Sequence, residues 1–75
     1  MDYSLFLRRL REARKKAGMS GQMVAVMLNT TQTVISRYEL GERIPKIDRV
    51  MELAALYDVS IDWLCGMEDQ KYEEA

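Results

Sequence analysis

The sequence predicts an all-α domain built from five short helices. In five successive segments, apolar residues recur at intervals of three and four, which is the spacing of one helix face. Turn-forming residues, above all glycine, separate these segments. A chain of 75 residues with 48% hydrophobic and 31% charged residues fits one compact domain, which buries roughly 60% of the surface of its unfolded chain.

The first helix is predicted over residues 4–17. Its apolar stripe is spaced by four, three and four residues and consists of Phe6, Leu10, Ala13 and Ala17. Ser4 is the expected N-cap, and Gly18 is the expected end of the helix. The basic residues at positions 14–16 lie near the carboxyl end, where positive charge is favourable to the helix dipole.

Two interpretations stay open for the remaining residues of this helix. The arginines concerned are Arg8, Arg9 and Arg11, which form either a solvated face or contacts to phosphate. Leu5 and Leu7 lie off the apolar stripe and are either exposed or cover a partner surface.

Residues 20–39 predict two short helices with almost no linker between them. The apolar positions of the first are Val24, Ala25 and Leu28, and those of the second are Val34, Ile35 and Tyr38. Ser20 is a good N-cap for the first helix. Asn29 tolerates a left-handed backbone, and Thr30 or Thr31 can cap the second helix. Helices joined so closely must cross steeply. The second helix is predicted to expose four hydrogen-bonding side chains: Gln32, Thr33, Ser36 and Arg37.

A fourth helix is predicted over residues 47–57, and a short fifth helix over residues 61–65. The broad apolar face of the fourth helix consists of Ile47, Val50, Leu53, Ala54, Leu56 and Tyr57. Asp58 is the expected left-handed terminator, Ser60 the expected cap of the fifth helix, and Gly66 its end.

Charge is distributed very unevenly along the chain. The net charge is −1, yet residues 8–49 contain ten Lys or Arg against four acids, whereas residues 50–75 contain one base and seven acids. Such polarity predicts a two-sided protein. Residues 1–66 are predicted to form the folded domain, and residues 67–75, which are acidic and lack apolar periodicity, a mobile tail.

Composition argues against several classes of function. The single cysteine, Cys65, allows no internal disulfide, and the absence of histidine removes the commonest metal ligand and general base. No apolar run approaches the roughly 20 residues of a membrane span, and no signal-peptide pattern is present. A cytoplasmic protein that needs no metal or cofactor and is not an enzyme is expected.

The order and spacing of several short motifs resemble the helix-turn-helix domain of the phage repressor and Cro family. The matching features are A-G-M-S before the second helix, Ala25 within it, Asn29 where the family often has glycine, T-T-Q-T-V-I-S-R-Y-E-L-G, and V-S-I-D-W-L. Together they cover the run from Phe6 to Gly66. The resemblance implies a compact five-helix lambda-repressor-like fold, in which the second and third helices bind DNA.

The resemblance also implies roles for individual residues. Gln32, Thr33 and Arg37 would face base edges, since Gln can pair with adenine, Arg with guanine, and the Thr methyl with thymine. Val34 is interpreted as core rather than as a base contact. The residues implied to contact phosphate or the groove wall are Ser20, Gln22, Thr31, Ser36, Arg43 and Lys46.

Three further positions are interpreted through the family. Arg14 and Glu39 correspond to a structural salt bridge between the first and third helices. Trp63 and Leu64 lie in a region that contributes to a two-fold dimer contact in the family. Gly21 departs from the pattern, because the family commonly has a phosphate-binding Gln there, and glycine also weakens the helix start.

The expected function is a sequence-specific regulator of transcription that binds double-stranded DNA. A repressor is expected, dimeric on a palindromic operator and acting without a cofactor or small-molecule substrate. The alternative is a protein-binding module, such as an antitoxin or antirepressor, in which the acidic carboxyl half docks a basic partner.

Overall fold

The computed structural model describes residues 3–67, which form five α-helices and no strand. The helices are Tyr3–Lys16 (α1), Gly21–Met27 (α2), Gln32–Leu40 (α3), Ile47–Tyr57 (α4) and Ile61–Leu64 (α5). The all-α, five-helix prediction is therefore confirmed. The predicted mobile tail lies outside the described residues from position 68 onward.

Polar caps start three of the helices where the sequence predicts them. In each case a hydroxyl oxygen accepts a hydrogen bond from the backbone N–H of the residue three positions later. This bond satisfies one of the donors that a helix start leaves unpaired. The pairs are Ser20 with Met23 at 3.1 Å, Thr31 with Val34 at 3.3 Å, and Ser60 with Trp63 at 3.0 Å. Asn29 and Asp58 have φ values of 55° and 57°, which confirms both predicted left-handed residues.

The core lies where α1, α3, α4 and α5 meet, with α2 packed on α3. Its buried residues are Phe6, Leu10, Ala13, Val24, Ala25, Ile35, Tyr38, Val50, Leu53, Ala54, Tyr57 and Leu64. Val34 is half-buried and packs against this cluster. Burial of these side chains supplies most of the drive to fold, since each large one contributes about 1.5–3 kcal/mol.

The structure corrects three details of the sequence prediction. Ser4 lies inside α1 and does not cap it, because the helix already includes Tyr3. Ala17 is exposed, since α1 ends at Lys16 and the chain then turns away from the core. Ile47 is 67% exposed at the start of α4.

Leu5 and Leu7, which lie off the apolar stripe of α1, are half-buried against the ends of other helices. A Cβ atom added to Gly41 would lie 2.8 Å from Cδ1 of Leu7. Gly41 has a φ of 78°, the left-handed conformation that ends α3. Glycine at this position therefore allows both the turn and the close approach of α1.

Arg14 of α1 connects three parts of the fold. Its Nε and Nη2 atoms donate to the two carboxylate oxygens of Glu39 in α3, at 2.7 and 3.1 Å. Its Nη1 atom donates to the backbone carbonyl of Met19, just before α2, at 3.0 Å. The side chains of Arg14 and Glu39 are only 15% and 12% exposed. The predicted salt bridge is thus present, and it fixes α1 to α3 and to the start of α2.

The pKa of Tyr57, at the end of α4, is affected by the same ion pair. Burial, together with the nearby Glu39 carboxylate, raises the pKa of Tyr57 to about 12, while Arg14 opposes the shift. The hydrogen bonds that Arg14 donates to the Glu39 carboxylate likewise raise the pKa of Arg14. The charges of the pair therefore act on the end of α4 as well as on α3.

Arg14→Ala is expected to lower the free energy of unfolding by roughly 3 kcal/mol, because it leaves a nearly buried carboxylate without its partner. The matched control is Arg8→Ala, which removes a pair with Glu12 whose two side chains are 70% and 57% exposed. This control should cost less than about 0.5 kcal/mol. Urea unfolding of both variants provides the measurement, and similar losses would contradict the role assigned to Arg14.

The protein is expected to lose stability as the pH rises from about 10 to 12. The unfolded chain releases the Tyr57 proton near pH 10, whereas the folded chain holds it to a pKa of about 12, so alkali favours unfolding in this interval. Tyr57→Phe should remove this part of the slope. Urea midpoints across the interval test the expectation, which fails if both proteins lose stability in parallel.

Candidate nucleic-acid interface

The exposed face of α3 carries four hydrogen-bonding side chains, Gln32, Thr33, Ser36 and Arg37. All four are exposed, whereas Ile35 and Tyr38 on the opposite face are buried in the core. Within residues 3–67, none of the four side chains makes a hydrogen bond or ion pair to the protein. The helix is therefore anchored by its apolar side while its polar side is free to bind another molecule.

The start of α2 lies beside the start of α3. A Cβ atom added to Gly21 would lie 3.6 Å from Cγ of Gln32 and 3.9 Å from its Nε2 atom. Ser20 and Gln22, which flank Gly21, are both exposed. The structure therefore brings two predicted phosphate contacts next to the first predicted base contact.

Ser20 and Thr31 have a structural task in addition to the predicted one. Each hydroxyl oxygen accepts a backbone N–H as a helix cap. A hydroxyl that accepts a hydrogen bond still has its own O–H to donate. Both residues can therefore cap their helices and donate to a phosphate oxygen at the same time.

Arg43 and Lys46 lie in the loop that follows α3. Both are exposed and line a shallow groove of about 250 Å³, together with Tyr38 and Arg49. The backbone N–H groups of Glu42 and Arg43 donate to the carbonyl of Arg37, at 2.9 and 3.3 Å, which holds the loop against the end of α3. Apart from Ser36, which lies within α3, the predicted phosphate contacts thus fall into two groups, one at each end of α3.

Arg49 is a residue of this region that the sequence analysis missed. Its Nη1 atom donates to the carbonyl of Leu28, the C-cap of α2, at 2.9 Å, and lies 3.5 Å from Oε1 of Glu52. Positive charge at a helix carboxyl end is stabilising. Arg49 therefore ties α4 to the turn between α2 and α3. No local pattern could have paired residues 28 and 49, which are 21 positions apart.

Arg9 and Trp63 form a second contact that the sequence did not predict. The Arg9 guanidinium lies 4.7 Å from the centre of the Trp63 ring, and it donates to the Trp63 backbone carbonyl. Arg9 therefore holds α5 against α1. Leu64, predicted at a dimer contact together with Trp63, is fully buried, so only Trp63 of the two has surface to offer a partner.

The described residues contain neither a membrane-spanning helix nor a cluster of metal ligands. No helix in the part of the chain that the structure describes has the length and apolar character to cross a bilayer. No group of three or more His, Cys, Asp or Glu side chains among residues 3–67 is placed to hold a metal ion.

The chain matches the family described as Helix-turn-helix over residues 10–64. It is similar to the HTH-type transcriptional regulator ImmR of Bacillus subtilis (strain 168), with 40% identity over 62 residues, which are 83% of this chain and 49% of that protein. The HTH-type transcriptional regulator AnsR of the same organism is 40% identical over 65 residues, which are 87% of this chain and 56% of AnsR. This chain thus spans about half the length of these relatives. No solved structure gives a significant match.

Gly21→Ala is expected to stabilise the protein by roughly 0.5 kcal/mol, since alanine favours helix and restricts the unfolded chain. The added Cβ atom would meet Gln32 and Ile35 only at ordinary contact distances of 3.6–3.9 Å. The matched substitution Gly41→Ala should instead cost about 1 kcal/mol or more, because the position has a left-handed backbone. Urea unfolding of both variants provides the measurement. A loss of stability in both would contradict the conclusion that a Cβ atom fits at Gly21.

Proposed function

The chain belongs to the helix-turn-helix family of transcriptional regulators, and on this basis we propose that it is a sequence-specific repressor. It binds a palindromic operator in double-stranded DNA, and α3 enters the major groove. The observation that carries this proposal is the exposed polar face of α3, whose four side chains make no bond within the described residues.

Gln32, Thr33 and Arg37 are the proposed base contacts. The side-chain amide of Gln can bond N6 and N7 of adenine, and the guanidinium of Arg can bond O6 and N7 of guanine. Thr33 offers its methyl group to thymine. Gln32 and Thr33 lie in the first turn of α3 and Arg37 one turn later, so this reading surface extends over about one helical turn.

The two groups of phosphate contacts would hold α3 in register. The two DNA strands that border a groove pass on either side of the inserted helix. Phosphates of one strand would bind Ser20, Gln22 and Thr31, and phosphates of the other would bind Arg43 and Lys46. Ser36, on the exposed face of α3, is placed at the groove wall. Donors at both ends of α3 fix its position along the groove, which base contacts alone would not do.

In the proposed function, the protein represses transcription by occupying its operator. A dimer raises the sequence specificity of this binding. Two copies on a palindrome place their α3 helices in major grooves about one helical turn, or roughly 34 Å, apart. Doubling the reading surface doubles the number of base pairs that can reject a wrong sequence, at about 1–3 kcal/mol for each mismatch. No cofactor takes part, since the side chains on the interface supply all the donors and acceptors.

Arg37→Ala is expected to lose roughly 1–3 kcal/mol of binding free energy at one base pair and to relax specificity there. Arg43→Ala, the matched control, should weaken binding about equally on operator and random DNA and reduce the salt slope by about one. Selection of duplexes from a random library, followed by anisotropy titrations over a salt series, measures both effects. Equal weakening of Arg37→Ala on operator and random DNA would contradict base readout.

A further inference from the structure

A cleft of about 550 Å³ lies between the carboxyl-terminal half of α1 and the turn that joins α4 to α5. Its volume falls within the range of roughly 300–1,000 Å³ that is usual for small-molecule sites. None of the residues that line it belongs to α2 or α3, and none is a proposed DNA contact. We call this space the α1–α5 cleft. A molecule bound there leaves the exposed face of α3 open.

The floor of the α1–α5 cleft is apolar and is held in place by the core. Ala13 of α1 and Tyr57 of α4 are buried. Val59 and Trp63 are half-buried and pack against the core cluster. Arg9 donates to the Trp63 carbonyl and lies 4.7 Å from the centre of its ring, which fixes this wall of the cleft. An ordered floor of aromatic and aliphatic side chains suits a ligand with an apolar body.

The rim of the cleft carries one charge of each sign that has no partner within the described residues. Lys16 belongs to α1, and Asp58 to the turn after α4. Both are exposed, and neither side chain makes a hydrogen bond or ion pair within residues 3–67. Glu12, which also lines the cleft, lies 3.7 Å from Arg8 instead. The two elements that border the cleft therefore offer a ligand one cation and one anion.

We propose that the α1–α5 cleft binds a small zwitterion with an apolar body, of the class of free amino acids that have an aromatic or aliphatic side chain. The carboxylate of the ligand pairs with Lys16, and its ammonium group pairs with Asp58. Its side chain covers the aromatic floor at Tyr57 and Trp63. A ligand with a single charge leaves one rim charge unpaired, and a ligand without an apolar body leaves the floor uncovered. This site goes beyond the proposed function and does not depend on it.

Titration with L-phenylalanine tests the site. Trp63 is the single tryptophan of the sequence, so fluorescence excited where phenylalanine does not absorb reports on the cleft itself. We expect a Kd of about 1 mM or lower, the value for a ligand of this size at ordinary binding efficiency. Amide NMR shifts should centre on Ala13, Ala17 and Val59. No saturable change up to about tenfold that concentration, or shifts centred on another surface, would overturn the proposal.

Three analogues separate the contacts of the ligand. Phenethylamine lacks the carboxylate and 3-phenylpropionate lacks the ammonium group. Each should bind about 2- to 5-fold more weakly than L-phenylalanine, the loss expected for one exposed ion pair. Glycine keeps both charges without the apolar body and should give no saturable change over the same range. Equal affinities for L-phenylalanine and any of the three analogues would overturn the class of ligand.

Two variants assign the charges of the rim. Lys16→Ala should weaken L-phenylalanine by the same factor of about 2 to 5 without weakening phenethylamine. Asp58→Asn should weaken L-phenylalanine likewise without weakening 3-phenylpropionate. Position 58 has a φ of 57°, a left-handed backbone that asparagine tolerates, so this variant keeps the turn.

The matched control is Lys15→Ala, since Lys15 is an exposed base next to Lys16 that does not line the cleft. This variant should bind L-phenylalanine as the unsubstituted protein does. Equal losses in Lys15→Ala and Lys16→Ala would overturn the site. None of these titrations contains DNA, so a protein that binds L-phenylalanine as described but no operator keeps the cleft site and loses only the proposed function.

Discussion

The orientation of α1 against α3 depends on one ion pair, between Arg14 and Glu39. A nearly buried charge is costly unless it is fully hydrogen-bonded, and here the guanidinium donates to both carboxylate oxygens and to the Met19 carbonyl. Because its planar fork imposes the directions of these bonds, the contact fixes how α1 lies against α3. The orientation of α3 is therefore set from its buried side, opposite the exposed face that carries Gln32, Thr33 and Arg37.

A second constraint acts on the turn between α2 and α3. Asn29 takes a left-handed conformation there, and Arg49 donates to the Leu28 carbonyl from α4. Backbone groups at the end of a helix need partners, and a charged donor on a neighbouring helix is among the stronger ones. Together with Thr31, which caps α3, these residues determine the crossing of the two helices. The exposed side of α3 is consequently free of any structural task.

The helix bounds could be predicted from the sequence because they depend on local chemistry. Ser20, Thr31 and Asp58 act through neighbours within a few residues, so their types and positions suffice. Contacts such as Arg9 with Trp63, 54 positions apart, have no local signature. The apolar spacing also could not predict that Ile47 is exposed, because spacing defines a helix face but not where the neighbouring helices end. The proposed DNA-contacting roles rest on family resemblance rather than on local chemistry.

The structure also changes how the basic half of the chain should be interpreted. Of the ten Lys and Arg residues at positions 8–49, four are engaged within the described part of the molecule: Arg8, Arg9, Arg14 and Arg49. Six have no such partner among residues 3–67, and they are Arg11, Lys15, Lys16, Arg37, Arg43 and Lys46. The first three belong to the end of α1 and its exposed side, so only three lie on α3 and its loop. In the proposed DNA complex, about three cations in each copy would therefore release counterions, and each neutralised phosphate would contribute about −0.9 to the salt slope. With so few such cations, the proposed regulator would depend on hydrogen bonds to bases and on pairing of two copies for its affinity, rather than on net charge.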